Sequence, residues 1–326
     1  MSKFDIIVIG DGFAARTVLA SLDKSYHVLQ IFDKKRFPAA SASAGALAST
    51  YGARKGLSEL GDINVESFES FQNFIRNMNL PYCVQKMLYY FDPKKGSEIE
   101  QQRFTSRWGD EKIKKEEHYW CAKDHAFLID PQSYLDDLKT KFNDSIETKR
   151  GTVVSIKDKQ VTLADGDVFS AKYVIDCSGA FGDCKKHKKH KIAFGAYFKI
   201  PYDNGEQDFL LNLQGKNILY HHKQKQLVIG ATTQNDGSMV ADLATMWSWR
   251  EGIDELFENL DLKHIDWGKA FLITGLRSKA QKRMPRFYWD EDVFSIYGLY
   301  KNGLMYSVKA LEELSTKIQL DSKLQQ

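Results

Sequence analysis

The chain is poor in the features that would place it in several large classes. Its 326 residues include four cysteines and six prolines. Cys83, Cys121, Cys177 and Cys184 are irregularly spaced and contain no CxxC pair, which excludes a disulfide scaffold and predicts reduced thiols in a cytoplasmic protein. No apolar run approaches the length of about 18 residues that a membrane helix needs, so no membrane span is expected. The text goes from Met1 into strand-like residues almost at once, which predicts no signal peptide. Neither sign of charge dominates: 46 Lys and Arg stand against 43 Asp and Glu, and a net charge of +3 argues against a nucleic-acid partner. Internal repeats and low-complexity tracts are absent as well.

What remains is the composition of an ordinary globular chain, 43% hydrophobic, long enough for about two domains. Aromatic residues at 13% suit a protein that lines a pocket. The segment "FDIIVIG" (4–10) is a continuous apolar, β-branched run, the mark of a strand buried on both faces. Helical spacing follows in 13–25 and a second strand in 27–33. Helices are predicted at 65–78, 130–143 and 241–260, the second with Asp130 as N-cap and Pro131 in the first turn. Residues 151–180 predict a hairpin closed near Asp165-Gly166 and then a buried strand. Aromatic, mixed text at 80–128 and alternating runs at 192–234 predict strands and loops of a second domain. The predicted fold is α/β, a Rossmann-type nucleotide-binding domain (1–79, 129–191 and 266–326) with an inserted, mainly antiparallel β substrate domain (80–128 and 192–265).

"GDGFAA" places Gly10, Gly12 and Ala15 between the first strand and its helix. Gly10 permits the tight turn, Gly12 lets a pyrophosphate approach the backbone, and Ala15 keeps the helix close to the sheet. The amides of Phe13 and Ala14 then lie where a helix N-terminus meets phosphate. Asp33, with Lys34 beside it, ends the second strand, where a carboxylate accepts hydrogen bonds from an adenosine ribose. The run "SASAGAL" (41–47) has almost no side chain to pack. Small residues there let something large and flat pass close to the backbone.

In these segments, and in the order they occur, the sequence resembles the FAD-dependent D-amino-acid oxidase-type family, in particular its glycine oxidases and sarcosine oxidases. The resemblance covers most of the chain and implies a glutathione-reductase-2-like flavoprotein. It implies that Ser41, Ser43, Ala44, Gly45 and Ala46 pass beside the pyrophosphate and flavin. Val153 and Val154 would meet the adenine, and Cys177, Ser178 and Gly179 of "YVIDCSGAFG" would pack on the same side. "TGLRSKAQKRMP" is similar to the family's G-x-R-x(7)-P segment, which would set Arg277 against the substrate as a carboxylate fork. "YGLYKNGLM" resembles the closing glycine turn, implying flavin contacts from Gly298, Lys301, Asn302, Gly303 and Leu304. A cation at Lys301 would stabilise the reduced flavin.

The departures fall on the substrate side. Ile218 stands where the family often places a substrate-binding Tyr, and Tyr220 or His222, at period two from it, are the candidates to replace that Tyr. Arg283 replaces an acidic residue common in the Gly-x-Arg segment. "CKKHKKHK" (184–191) has Cys184, His187 and His190 at ligand-like spacing, but interleaved lysines read as a solvated basic loop, and no metal is expected. No cysteine lies near the C-terminal flavin contacts, so FAD should be non-covalent. The expected activity is oxidation of a C–N bond in a small amine or amino acid, with hydride transfer to the flavin and O2 as acceptor. One alternative is a flavoprotein that modifies a residue of a partner protein, as in maturation of a protein-derived quinone. Another is a non-catalytic flavin-binding protein.

Overall fold

The computed structural model describes residues 4–33, 40–41, 43–142, 144–181, 191–235 and 239–324. Lys34 and the segment 184–190 lie outside the described residues.

The chain opens with strand β1 (Phe4–Ile9), helix α1 (Phe13–Ser21) and strand β2 (Val28–Phe32). β1 is buried along nearly its whole length, as the apolar run requires. Short strand β3 (Leu47–Ser49) and helix α2 (Glu59–Asn77) follow; Ser58 caps α2 by accepting from the Gly61 amide. Next come β4 (Gln85–Phe91), α3 (Glu98–Trp108), β5 (Lys114–Lys115), β6 (Trp120–Leu128) and α4 (Pro131–Lys139). Asp130 caps α4 as expected, accepting from the Ser133 amide at 2.9 Å. Helix α3 was not anticipated within an insert read as strands and loops. Its start is a capping box between Ser97 and Glu100, the local signal that marks it.

Four strands carry the chain back through the first sheet region: β7 (Ile146–Arg150), β8 (Val153–Lys157), β9 (Gln160–Leu163) and β10 (Val168–Asp176). The antiparallel run β11 (Lys191–Pro201), β12 (Phe209–Leu213), β13 (Lys216–His221) and β14 (Gln226–Gly230) comes next. The expected helix at 241–260 is two helices, α5 (Leu243–Trp247) and α6 (Arg250–Asn259). The end comprises β15 (Phe271–Lys279), β16 (Arg286–Asp290), β17 (Val293–Tyr297) and α7 (Gly303–Leu314). No described helix is long and apolar enough to cross a membrane.

These strands make two sheets. The first runs β16-β17-β10-β1-β2-β7, parallel from β17 to β7, with β9 and β8 continuing from β10. One face packs on α1, α2, α4 and α7 through Val18, Phe71, Tyr134 and Met305; the other is covered by the β8–β9 hairpin. The second sheet runs β15-β11-β14-β13-β12-β4-β6-β3. It is antiparallel except where β12 meets β4. Its outer face packs on α5 and α6, with Ile253, Leu256 and Phe257 buried against Ile218 and Tyr220.

Two strands cross the expected domain boundaries. β3 pairs with β6, and β15 pairs with β11 through nine registered residues from Lys191↔Lys279 to Lys199↔Phe271. Both were counted with the nucleotide-binding part on sequence. Their ladders place them in the second sheet, so Arg277 is carried by that sheet.

Candidate active site

A cavity of about 1020 Å³ runs from the C-terminal ends of β1 and β2 to the inner face of the second sheet. That is the size of the larger ligand sites and enough for a dinucleotide together with a small molecule. Its first end is built by the N-terminal turn. Gly10 has φ +121, and a Cβ there would stand 2.7 Å from the Cys177 carbonyl oxygen, so only glycine fits. The Gln30 side chain donates to the Gly10 carbonyl at 2.9 Å and fixes the loop from the neighbouring strand. α1 has no side-chain N-cap, so its first amides are left for a ligand, apart from Phe13 N–H, which Ser41 Oγ accepts at 3.0 Å. Gly12, Phe13 and Ala14 line the cavity. Ala15 is fully buried behind the wall, between helix and sheet.

Asp33 and Val153, Val154 line the same end, and Thr152 Oγ1 donates to Asp33. Cys177, Ser178 and Gly179 form the next stretch of wall; burial pushes the Cys177 thiol well up, so it stays a thiol. Asp11, inside the turn, is paired with Arg16 at 2.8 Å.

Ser41, Ser43, Ala44, Gly45 and Ala46 pass through the middle of the cavity wall. The reason for their size is visible on the protein side too. A Cβ on Gly12 would meet Ser41 Oγ at 2.8 Å, and one on Gly275 would meet Ser43 Cβ at 3.3 Å. One on Gly45 would touch Val228 and Leu219. The run is threaded between α1, β15 and the β13–β14 pair, with no room for larger side chains.

At the far end β15 carries Arg277 onto the wall. Its Nη1 donates to the Thr232 carbonyl at 3.2 Å and approaches Thr233 Oγ1 at 3.4 Å, and it forms no ion pair among the described residues. Burial draws its pKa down, offset by the neighbouring phenols of Tyr300, Tyr197 and Tyr51. Lys301, Asn302, Gly303 and Leu304 line the cavity where α7 begins. Lys301 is pushed down to about 8, by desolvation first and then by Arg277, Arg283 and Lys279. It is exposed where the cavity opens, so its low pKa reflects a confined, cation-rich site rather than a sealed one.

Gly298 is not on the wall: its φ is +74, and it turns the chain against Ala280. Tyr220 requires correction as a catalytic candidate. It is fully buried on the outer face of the second sheet, accepts from Asn204 N–H at 3.0 Å and donates to the Gly205 carbonyl at 2.9 Å. Ile218 shares that outer face, and His222 is held by Asp208 at 2.7 Å off the wall. From β13 it is Asn217 and Leu219 that line the cavity.

Several wall residues were not found from sequence. Tyr197 is 3% exposed and its hydroxyl has no hydrogen-bond partner among the described residues. Tyr51, with φ +54, is drawn to Asn217 and Arg277. Asn64 on α2 accepts from Tyr306 at 2.6 Å and from Asn302 at 2.8 Å, leaving Asn302 Oδ1 buried and unpartnered. Buried polar atoms without partners are uncommon, and two on one cavity wall point to a polar ligand. Tyr197 lies in β11, which is buried on both faces, so alternation could not single it out, and Asn64, in a helix, carried no signal.

Comparison with known proteins agrees with this architecture. The family model described as FAD dependent oxidoreductase matches residues 5–309, and the chain belongs to that family. It is therefore an FAD-dependent oxidoreductase. The iminodiacetate oxidase of Chelativorans sp. BNC1 superposes with a TM-score of 0.74 at 14% identity, over 95% of this chain and 94% of that one. The glycine oxidase of Geobacillus kaustophilus gives 0.72 at 12% identity, over 98% and 97%. At these identities the likeness is one of fold. The curated monodechloroaminopyrrolnitrin halogenase of Pseudomonas fluorescens is 24% identical over 187 residues, 55% of this chain. The match spans 31% of that relative's length.

The residues present fit FAD. The glycine turn and uncapped α1 suit the pyrophosphate, Asp33 the ribose, and the unpartnered Asn302 Oδ1 a ring donor.

Proposed function

We propose that the protein oxidises the C–N bond of a small amine or amino acid that carries a carboxylate, with O2 as the final acceptor. The observation that carries this reading is Arg277, a half-buried guanidinium on the cavity wall with no carboxylate of its own. A planar fork left unpaired is a bidentate receptor for a carboxylate. The Tyr197 hydroxyl, buried and unpartnered on the same wall, would donate to the same group. The relatives named for iminodiacetate and glycine oxidation share the fold and act on amino carboxylates by name.

FAD, when bound, would supply the two-electron acceptor for a hydride from the carbon next to nitrogen and the route for those electrons to oxygen. The chain's own part is positioning and charge. The α1 N-terminus and Asp33 would hold the nucleotide end, and Arg277 would hold the substrate carboxylate so that its α-carbon has a fixed place. Lys301 would supply a positive charge opposite the negative charge that reduction creates. Hydride loss needs the amine unprotonated. Arg277 and Lys301 favour that form, because nearby cations lower the pKa of an ammonium group. The amine proton can leave to solvent where the cavity opens.

The test is anaerobic mixing of the holoenzyme with a panel of amino acids and amines while following the flavin absorbance. Rapid bleaching by one of them, much slowed in Arg277→Ala, is the expected result. No bleaching by any, with the flavin still reducible by dithionite, would overturn the reading.

A further inference from the structure

We propose that the substrate carries two anionic groups, one held by Arg277 and the second by Arg283 at the mouth of the cavity. The reaction assumed is the amine oxidation proposed above; the evidence is separate and lies in how charge is divided along the wall.

The acidic residues among the described wall residues are Asp11, Asp33 and Asp176. All three stand at the C-terminal ends of β1, β2 and β10, the nucleotide end. At the other end the wall carries Arg107, Arg277, Arg283 and Lys301 and, among the described residues, no acid. None of these four forms an ion pair among the described residues, whereas Arg16, at the nucleotide end, is paired with Asp11. Lys301 is sensitive to both Arg277 and Arg283, which places the three in one electrostatic cluster. Like charges gathered on one wall of a cavity, Arg277 half-buried and the other three exposed at its opening, repel unless something brings the opposite sign. The diphosphate of a dinucleotide belongs to α1, at the opposite end. One substrate carboxylate and the charge of reduction balance two of the cations, and a second anionic group balances a third.

The backbone singles out Arg283. Lys282 and Arg283 have φ of 55 and 61, two consecutive left-handed residues with neither a glycine. That conformation is costly and persists where its surroundings impose it. Its effect is that Arg283 lines the cavity while Lys282, next to it, does not. Arg283 thus shares the cavity wall with Arg277, where the second anionic group of an amino dicarboxylate or amino phosphonate would meet it.

The experiment uses purified holoenzyme and two four-carbon probes that cannot be oxidised, succinate and butyrate, read by their perturbation of the flavin absorbance. The expected result is succinate binding at least about tenfold more tightly than butyrate, the scale of one added charge-assisted contact. Arg283→Gln should abolish that preference, and Lys282→Gln, the same charge change off the wall, should keep it. Equal binding of the two probes overturns the inference. So does a preference that survives in Arg283→Gln, a loss of FAD affinity in that variant with the preference intact, or no spectral response to either acid. Anaerobic bleaching by aspartate, glutamate and alanine then separates the two readings. Succinate preference without bleaching by any amine would keep the dianion site and reject amine oxidation. Equal probe binding with bleaching by alanine would do the reverse.

Discussion

The guanidinium of Arg277 lies across the bare α-carbon of Gly195 on the neighbouring strand. A Cβ on Gly195 would fall 2.3 Å from the guanidinium carbon and 2.4 Å from Nη2. β11 pairs Gly195 with Gly275 and Ala193 with Arg277, so the side chain folds back over its diagonal neighbour. The orientation of the Arg277 guanidinium is therefore set by an absent side chain.

Gly195→Ala should push Arg277 out of place without unfolding the sheet, because alanine is otherwise tolerated in a strand. Carboxylate affinity, read from flavin perturbation, should fall by roughly tenfold or more, the scale of one lost charge-assisted contact. FAD content should be unchanged. Unaltered affinity would mean that the guanidinium has room the packing does not suggest.

Tyr197→Phe separates folding from binding. The hydroxyl is buried without a partner, so removing it should leave the thermal midpoint unchanged or raise it, by about 1 kcal/mol of stability. Binding of a carboxylate probe should weaken in the same variant. A lower midpoint together with undiminished binding would assign the hydroxyl to the fold.

Tyr220→Phe should behave in the opposite way. Its hydroxyl, itself buried, accepts from Asn204 N–H and donates to the Gly205 carbonyl, so its loss removes two bonds that tie the sheet to a partly exposed loop. The expected cost is about 1 kcal/mol in denaturant unfolding. Ligand binding and flavin bleaching should match the wild type, and a specific defect in either would return Tyr220 to the site.

Lys301, pushed down to about 8, is charged below that pH and neutral above it. If its charge supports flavin reduction, Lys301→Met should lower the flavin potential by roughly 30 mV, the two-electron equivalent of a tenfold effect. The sign of the pH dependence follows. The gap between wild type and variant should be full below pH 8 and should close as pH rises through the lysine's titration. Dye-coupled potentiometry from pH 6.5 to about 9.5, a range bracketing that value, measures both curves. A gap that does not change with pH would show that the ammonium is not the source.

The nucleotide end of this protein was legible because its determinants are local. The glycines at 10 and 12, the helix they open and the acid at 33 fall within one strand–turn–helix–strand unit, where chain geometry alone brings them together. The small-residue run at 41–46 was legible for a similar reason, since it marks close approach whatever approaches. Arg277, Lys301 and Asn302 came from resemblance rather than pattern, and the fold sets all three on the cavity wall.

The substrate end depended on pairing between distant segments. β13 is buried on both faces, because α5 and α6 cover one and the other faces the cavity wall, so alternation could not say which face held Tyr220. Register with β12 and β14 decided it, turning Tyr220 outward and Asn217 and Leu219 inward. β15 reads like any strand, and only its ladder with β11 placed Arg277 over Gly195. Asn64, Tyr51 and Tyr197 meet the site from α2, the bend after β3, and β11. Each is unremarkable in its own stretch of chain and becomes a wall residue only when two sheets close on one space.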